Sequence, residues 1–185
     1  MERIRLDESM LRRRILLLTG EITKEKINVL RNLLLFLNNF SKKEIKLVID
    51  TPGGDVIAAL KFCDAILLSP APVICIINGE CSSSGVVILQ AAQKRLMTKH
   101  SFIYLHPIAI SFEKEQFAID EKTEERIIDR LRGTRARQKF IYDVLIKKTG
   151  LTLEKIKAKE GKLIFANEAK KIGLIDEVIE EYKIP

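Results

Sequence analysis

An apolar strand, a serine-rich turn and a helix in unbroken succession constrain this chain more than any other feature. Val73-Ile74-Cys75-Ile76-Ile77 is a β-branched run of the length a buried strand takes. Residues 86–92 carry no helix breaker and predict a buried helix. Between them lies Asn78-Gly79-Glu80-Cys81-Ser82-Ser83-Ser84-Gly85. The same order occurs twice upstream. A strand over 14–18 leads to a helix capped by Thr23, with Ile27, Leu30, Leu33, Leu34 and Leu37 at helical spacing and Asn38-Asn39 at its end. A strand over 45–50 leads through Thr51-Pro52-Gly53-Gly54 to a helix over 55–68, stopped by Ser69-Pro70-Ala71-Pro72. Such alternation predicts an α/β fold, mostly parallel sheet with crossover helices. Further strands are expected at 95–97 and 102–105, and an exposed extended segment at 109–119. A long helix over 120–148 carries an apolar stripe, with Gly133 marking a kink or a site of close packing. A short helix follows at 152–159, then one capped by Asn167, then an edge strand at 174–179. Residues 1–14 form a short arm. No repeat or linker interrupts the pattern, so one domain is expected over 1–185.

Composition narrows the function. The 185 residues carry a net charge of +7 that is dispersed apart from Arg12-Arg13-Arg14, and aromatics are 6% with no Trp. Stacking platforms for nucleic acid are therefore scarce, and no nucleic-acid partner is expected. No run approaches the ~20 apolar residues of a membrane span, and residues 15–18 are too short for a signal-peptide core. Cys63, Cys75 and Cys81 lack metal-ligand spacing and read as reduced, buried thiols. A cytoplasmic protein, or one of an organelle matrix, without metal or other cofactor is expected.

A small nucleophile on a strand-to-helix turn projects from the sheet beside the free N–H groups and dipole of the helix start. The alternative is that these serines only cap the helix. Cys81, two residues from Ser83, ranks second as nucleophile. Pro52-Gly53-Gly54 can present backbone N–H groups to an anion, or be merely a tight turn; no Lys-Ser/Thr follows, so it is not a phosphate loop. A serine needs a base, and of the two histidines His106 ends an apolar strand whereas His100 lies in a polar turn.

Asp50-Thr51-Pro52-Gly53-Gly54, Gly79-Glu80-Cys81-Ser82-Ser83-Ser84-Gly85, Lys94-Arg95, Tyr104-Leu105-His106-Pro107 and Glu168-Ala169-Lys170-Lys171-Ile172-Gly173-Leu174-Ile175-Asp176 occur in one order over nearly the whole chain. Together they resemble the proteolytic subunits of Clp proteases. The resemblance implies a Clp/crotonase-like spiral of ββα units and a serine endopeptidase cleaving unfolded polypeptides inside stacked homo-oligomeric rings. It implies Ser83 as nucleophile, His106 as base, and the N–H groups of Gly54 and Ser84 as the oxyanion hole. The family's aspartate position holds Gly161, which makes the adjacent Glu160 the candidate third member, against a reading as a solvated charge. Asp176 reads as structural. The region 109–148 corresponds to the family's protruding helix and strand between rings. About a dozen residues precede the first strand, fewer than the family's ring-entrance loops take, so docking to an AAA+ unfoldase ATPase stays an open expectation. The competing functions are a catalytically impaired ring subunit, an acyl-CoA enzyme of the crotonase fold, and a serine–lysine dyad drawing on Lys94, Lys99, Lys114 or Lys122.

Overall fold

The computed structural model describes residues 8–109 and 122–179. The chain runs α1 (Glu8–Arg12), β1 (Ile15–Thr19), α2 (Lys24–Phe40), β2 (Ile45–Thr51), α3 (Val56–Leu67), β3 (Val73–Ser82), α4 (Ser84–Ala91), β4 (Lys94–Thr98), β5 (Phe102–Tyr104), α5 (Thr123–Thr149), α6 (Leu153–Lys157), β6 (Leu163–Phe165), α7 (Ala166–Lys171) and β7 (Glu177–Ile179). The expected α/β architecture is present. Strands β1-β2-β3-β4-β7 lie side by side, all pairs parallel.

The central strand β3 does two things. Its first half, Ile74 to Ile77, pairs with β4, and its second half, Glu80 to Ser82, pairs with β5. The strand predicted to end at Ile77 therefore continues through Gly79 to Ser82, because β5 supplies hydrogen-bond partners that the local sequence does not reveal. Val73 to Ile77 is buried without alternation, as a strand covered on both faces must be. Helix α4 is buried at every position, which fits its lack of any charged side chain.

Local chemistry sets the ends of the other elements. Thr23 caps α2 by accepting from the Lys26 N–H, and Asp55 caps α3 by accepting from Ile57 and Ala58. Helix α2 continues past Asn38-Asn39 to Phe40. There the Arg14 guanidinium donates to the carbonyls of Leu37 at 2.9 Å and Ser41 at 3.0 Å. A cation on those last carbonyls also complements the helix dipole, so Arg14 is structural rather than one of a free basic cluster.

Three expectations are corrected. Helix α5 runs unbroken through Gly133, where an added Cβ would meet only the Arg137 side chain, at 3.6 Å. Asn167 lies inside α7 and the capping position falls on Phe165, because strand β6 feeds directly into that helix. Strand β6 itself was not expected; it pairs antiparallel with β5, Phe102 opposite Phe165 and Tyr104 opposite Leu163. The extended segment predicted at 109–119 lies outside the described residues beyond 109, as do residues 1–7 of the arm.

Asp176 is structural, as read. It takes the Arg95 N–H at 2.7 Å and the Arg95 guanidinium, while a guanidinium nitrogen also donates to Gln90 Oε1 at 2.6 Å. Burial pushes the Asp176 carboxyl up. Hydrogen bonds from Arg95, its charge and that of Lys148 outweigh this and hold it below its ordinary value. Among the described residues no helix is long and apolar enough to cross a membrane.

Candidate active site

Ser83 stands at the junction of β3 and α4 with φ 52° and ψ −124°, a left-handed conformation that few non-glycine residues adopt. Neighbours hold it there. Its N–H donates to the Tyr104 carbonyl at 2.9 Å, and its carbonyl accepts from Val86 at 3.0 Å. The Thr51-Pro52-Gly53-Gly54 turn abuts it from below. A Cβ on Gly53 would stand 2.6 Å from Ser83 Cβ and 2.9 Å from the Ser82 carbonyl. Only glycine permits that approach, and φ 97° at Gly53 adds to the demand. The buried Thr51 hydroxyl fixes the turn, donating to the Gly20 carbonyl at 2.6 Å and accepting from the Gly53 N–H at 3.1 Å.

The three consecutive serines are not equivalent. The Ser82 hydroxyl donates to Glu80 at 2.6 Å and the Ser84 hydroxyl to the Gly54 carbonyl at 3.2 Å, and both residues are buried. Ser83 is partly exposed, and its hydroxyl makes no capping bond to α4. The capping reading therefore fails for Ser83, whose oxygen is the one left available. Cys81 does not compete. It is fully buried, and burial followed by the Glu80 charge pushes its thiol far up, away from the reactive thiolate.

Two amides flank Ser83. Ser84 is the first residue of α4, so its N–H has no carbonyl one turn earlier to take it. The bridge between Ile22 and Gly54 is made by the Gly53 carbonyl and the Asp55 N–H, which leaves the Gly54 N–H out of it. A Cβ on Gly54 would lie 2.4 Å from the Ile22 carbonyl, so glycine is required there as well.

His106 follows β5 and is exposed. Backbone contacts bracket it: Leu105 accepts from the Gly161 N–H at 2.9 Å, and the Ile108 N–H donates to Gln138 Oε1 at 2.6 Å. His106 Nδ1 lies 2.7 Å from the Pro107 carbonyl. A carbonyl only accepts, so this bond places the proton on Nδ1 and leaves the Nε2 lone pair as the basic site.

The Gly161 contact sets Glu160 beside the histidine-bearing strand. The Glu160 carboxylate nevertheless meets another group, accepting from the Tyr142 hydroxyl at 2.6 Å. Burial, then the bond to Glu160 and its charge, push the Tyr142 phenol up to about 12. Ser83, His106, Glu160 and Tyr142 line one cavity of about 20 Å³. That is room for a water, which needs roughly 10–15 Å³, and not for a peptide side chain. Its remaining walls are largely apolar, including Val56, Val87, Ile141 and Leu145. No hydrogen bond joins Ser83 to His106 or His106 to Glu160 among the described residues.

Sequence reasoning missed Tyr142, Gln138 and the Pro107 carbonyl. Gln138 and Tyr142 are four apart, hence on one face of α5. A polar pair interrupting the helix's apolar stripe was the available signal. Among the described residues no cluster of three or more His, Cys, Asp or Glu is placed to hold a metal ion.

Comparison with known proteins bears on the family and the fold. A family model described as Clp protease matches residues 2–182. Among solved structures, a mutant of ClpP1 from Listeria monocytogenes superposes with a TM-score of 0.82 at 24% sequence identity, covering 96% of this chain and 97% of that one.

Proposed function

The chain belongs to the Clp protease family, and from that premise we propose that it is a serine endopeptidase cleaving unfolded polypeptides within a homo-oligomeric chamber of stacked rings. The observation that carries this reading is the selection among three serines. Ser83 alone keeps its hydroxyl unengaged, on the strained turn, facing the cavity that His106 also lines.

The chemistry is acyl transfer. His106 Nε2 takes the Ser83 proton as Oγ attacks the peptide carbonyl. The N–H groups of Gly54 and Ser84 receive the developing oxyanion, a contribution whose loss typically lowers turnover ~10²–10³-fold per donor. The imidazolium then protonates the leaving amine, and water repeats the sequence in reverse on the acyl-enzyme. The Pro107 carbonyl keeps the proton on Nδ1 at rest. Glu160 is the carboxylate that takes over that proton's bond when the ring turns toward Ser83, and so supports the imidazolium. A cytoplasmic setting and supply of substrate by an AAA+ unfoldase ATPase complete the proposal.

A second reading, an impaired ring subunit, is favoured by one observation: Glu160 is bonded to Tyr142 rather than to His106. Labelling with a fluorophosphonate tests the choice. We expect wild type to label and to hydrolyse an unfolded polypeptide, and Ser83→Ala to do neither while keeping its fold. An assembled wild type that neither labels nor hydrolyses overturns the enzyme reading in favour of the impaired one. Label persisting in Ser83→Ala overturns the nucleophile.

A further inference from the structure

Among the described residues that line the active-site cavity, three carry ionisable groups: His106, Glu160 and Tyr142. Glu160 lies beside the segment that carries His106, since the Gly161 N–H is tied to the carbonyl of Leu105. Yet its carboxylate oxygen is taken by the Tyr142 hydroxyl at 2.6 Å, a charge-assisted bond in a partly buried setting. Meanwhile His106 Nδ1 spends its proton on the Pro107 carbonyl at 2.7 Å. Both arrangements are anchored on one face of α5. Tyr142 holds the acid, and Gln138, one turn earlier, holds the Ile108 N–H just beyond the histidine. The Lys157 ammonium lies 5.7 Å from the centroid of the Tyr142 ring, a further charge beside the pair.

From this geometry we infer that Tyr142 is a positioning residue that competes with His106 for Glu160, so that breaking the Tyr142–Glu160 bond releases the acid to the imidazole. This rests on the serine-peptidase reading above. In the resting arrangement the phenol and the Pro107 carbonyl each satisfy one partner of the missing Glu160–His106 bond. Exchange of the two bonds creates no unpaired charge: the carboxylate gains the Nδ1–H, and the phenol is left as a neutral donor. The phenol stays protonated throughout, since its ionisation lies far above neutral pH.

Tyr142→Phe removes only the hydroxyl and keeps the ring that packs in the cavity wall. Peptide hydrolysis is measured for wild type, Tyr142→Phe, Glu160→Gln and the double variant, with fluorophosphonate labelling of each as a check on Ser83. Release of Glu160 predicts a several-fold rise in kcat/KM for Tyr142→Phe. It also predicts that the acidic limb of its pH profile moves to higher pH, because a carboxylate at the ring favours the imidazolium. Neither change is expected when Tyr142→Phe is added to Glu160→Gln. A loss of activity in Tyr142→Phe, or an equal effect in both backgrounds with the pH profile unmoved, overturns the competition. A wild type that fails to label at all defeats the peptidase reading instead, so the two failures are told apart.

Discussion

At Ser83 the backbone conformation itself has a cost, and the cost can be measured apart from the chemistry. A non-glycine residue at positive φ gives up roughly 1–2 kcal/mol. Replacing Ser83 by glycine and by alanine removes the hydroxyl in both cases, yet only glycine relieves the strain. Ser83→Gly is therefore predicted to be more stable than Ser83→Ala by about 1 kcal/mol in denaturant unfolding, with both inactive. Equal stabilities contradict a strained turn. Gly53→Ala works in the opposite direction. Its Cβ would intrude to 2.6 Å from Ser83 Cβ, so the turn must shift. Turnover is predicted to fall at least 10²-fold, the size of loss expected from displacing an oxyanion donor or nucleophile by about an ångström. Near-normal turnover in this variant contradicts the close approach. Ser83, His106 and the glycines could be picked out as candidates in the sequence because each sits in a short local pattern. The Tyr142–Glu160 pair was not, since its members are eighteen positions apart and meet only through packing of α5 against α6 and the turn beyond it.

Among the elements, β4 and the segment before β7 are joined through Arg95 and Asp176. The native Asp176 carboxyl is held below its ordinary value, so the stability it contributes is present at neutral pH and above the unfolded value near 3.8. It is lost as pH falls through the lower native value. Asp176→Asn is predicted to lower the melting temperature at pH 7 and to flatten its decline below about pH 4. A Tm–pH curve parallel to that of wild type contradicts the linkage. Strands β1, β2 and the first half of β3 were readable because β-branched and leucine residues occupy them and turn signals bound them. Strand β6 was not, because Leu163-Ile164-Phe165 is three residues long and takes its identity from pairing with β5. The same long-range pairing carries β3 on to Ser82. Asn167 looked like a cap for a related reason: a strand that runs straight into a helix needs no Ser, Thr, Asp or Asn at the junction.

For the molecule as a whole, the distribution of apolar surface along α5 bears on assembly. Only Thr134 and Leu145 of its 27 residues are buried, while Ile128 is 37% and Phe140 52% exposed. Leu67 and Leu68 at the end of α3 are likewise exposed. In the ring proposed above these residues would be subunit contacts. Ile128→Asp is predicted to shift the sedimentation profile toward smaller species with little change in secondary structure. Leu145→Ala is predicted to cost about 2–5 kcal/mol of stability through the cavity it leaves. An unaltered sedimentation profile for Ile128→Asp contradicts the contact. The parallel α/β architecture followed from alternation along the chain, whereas how copies pack is a property of surfaces that one chain's periodicity does not separate from its core. The most direct test is a crystal structure of the assembled protein after reaction with a fluorophosphonate. Phosphorus bonded to Ser83 Oγ, with a phosphoryl oxygen within hydrogen-bond reach of the Gly54 and Ser84 N–H groups, is the predicted result. Phosphorus on another residue, or an oxygen turned away from both amides, would contradict it.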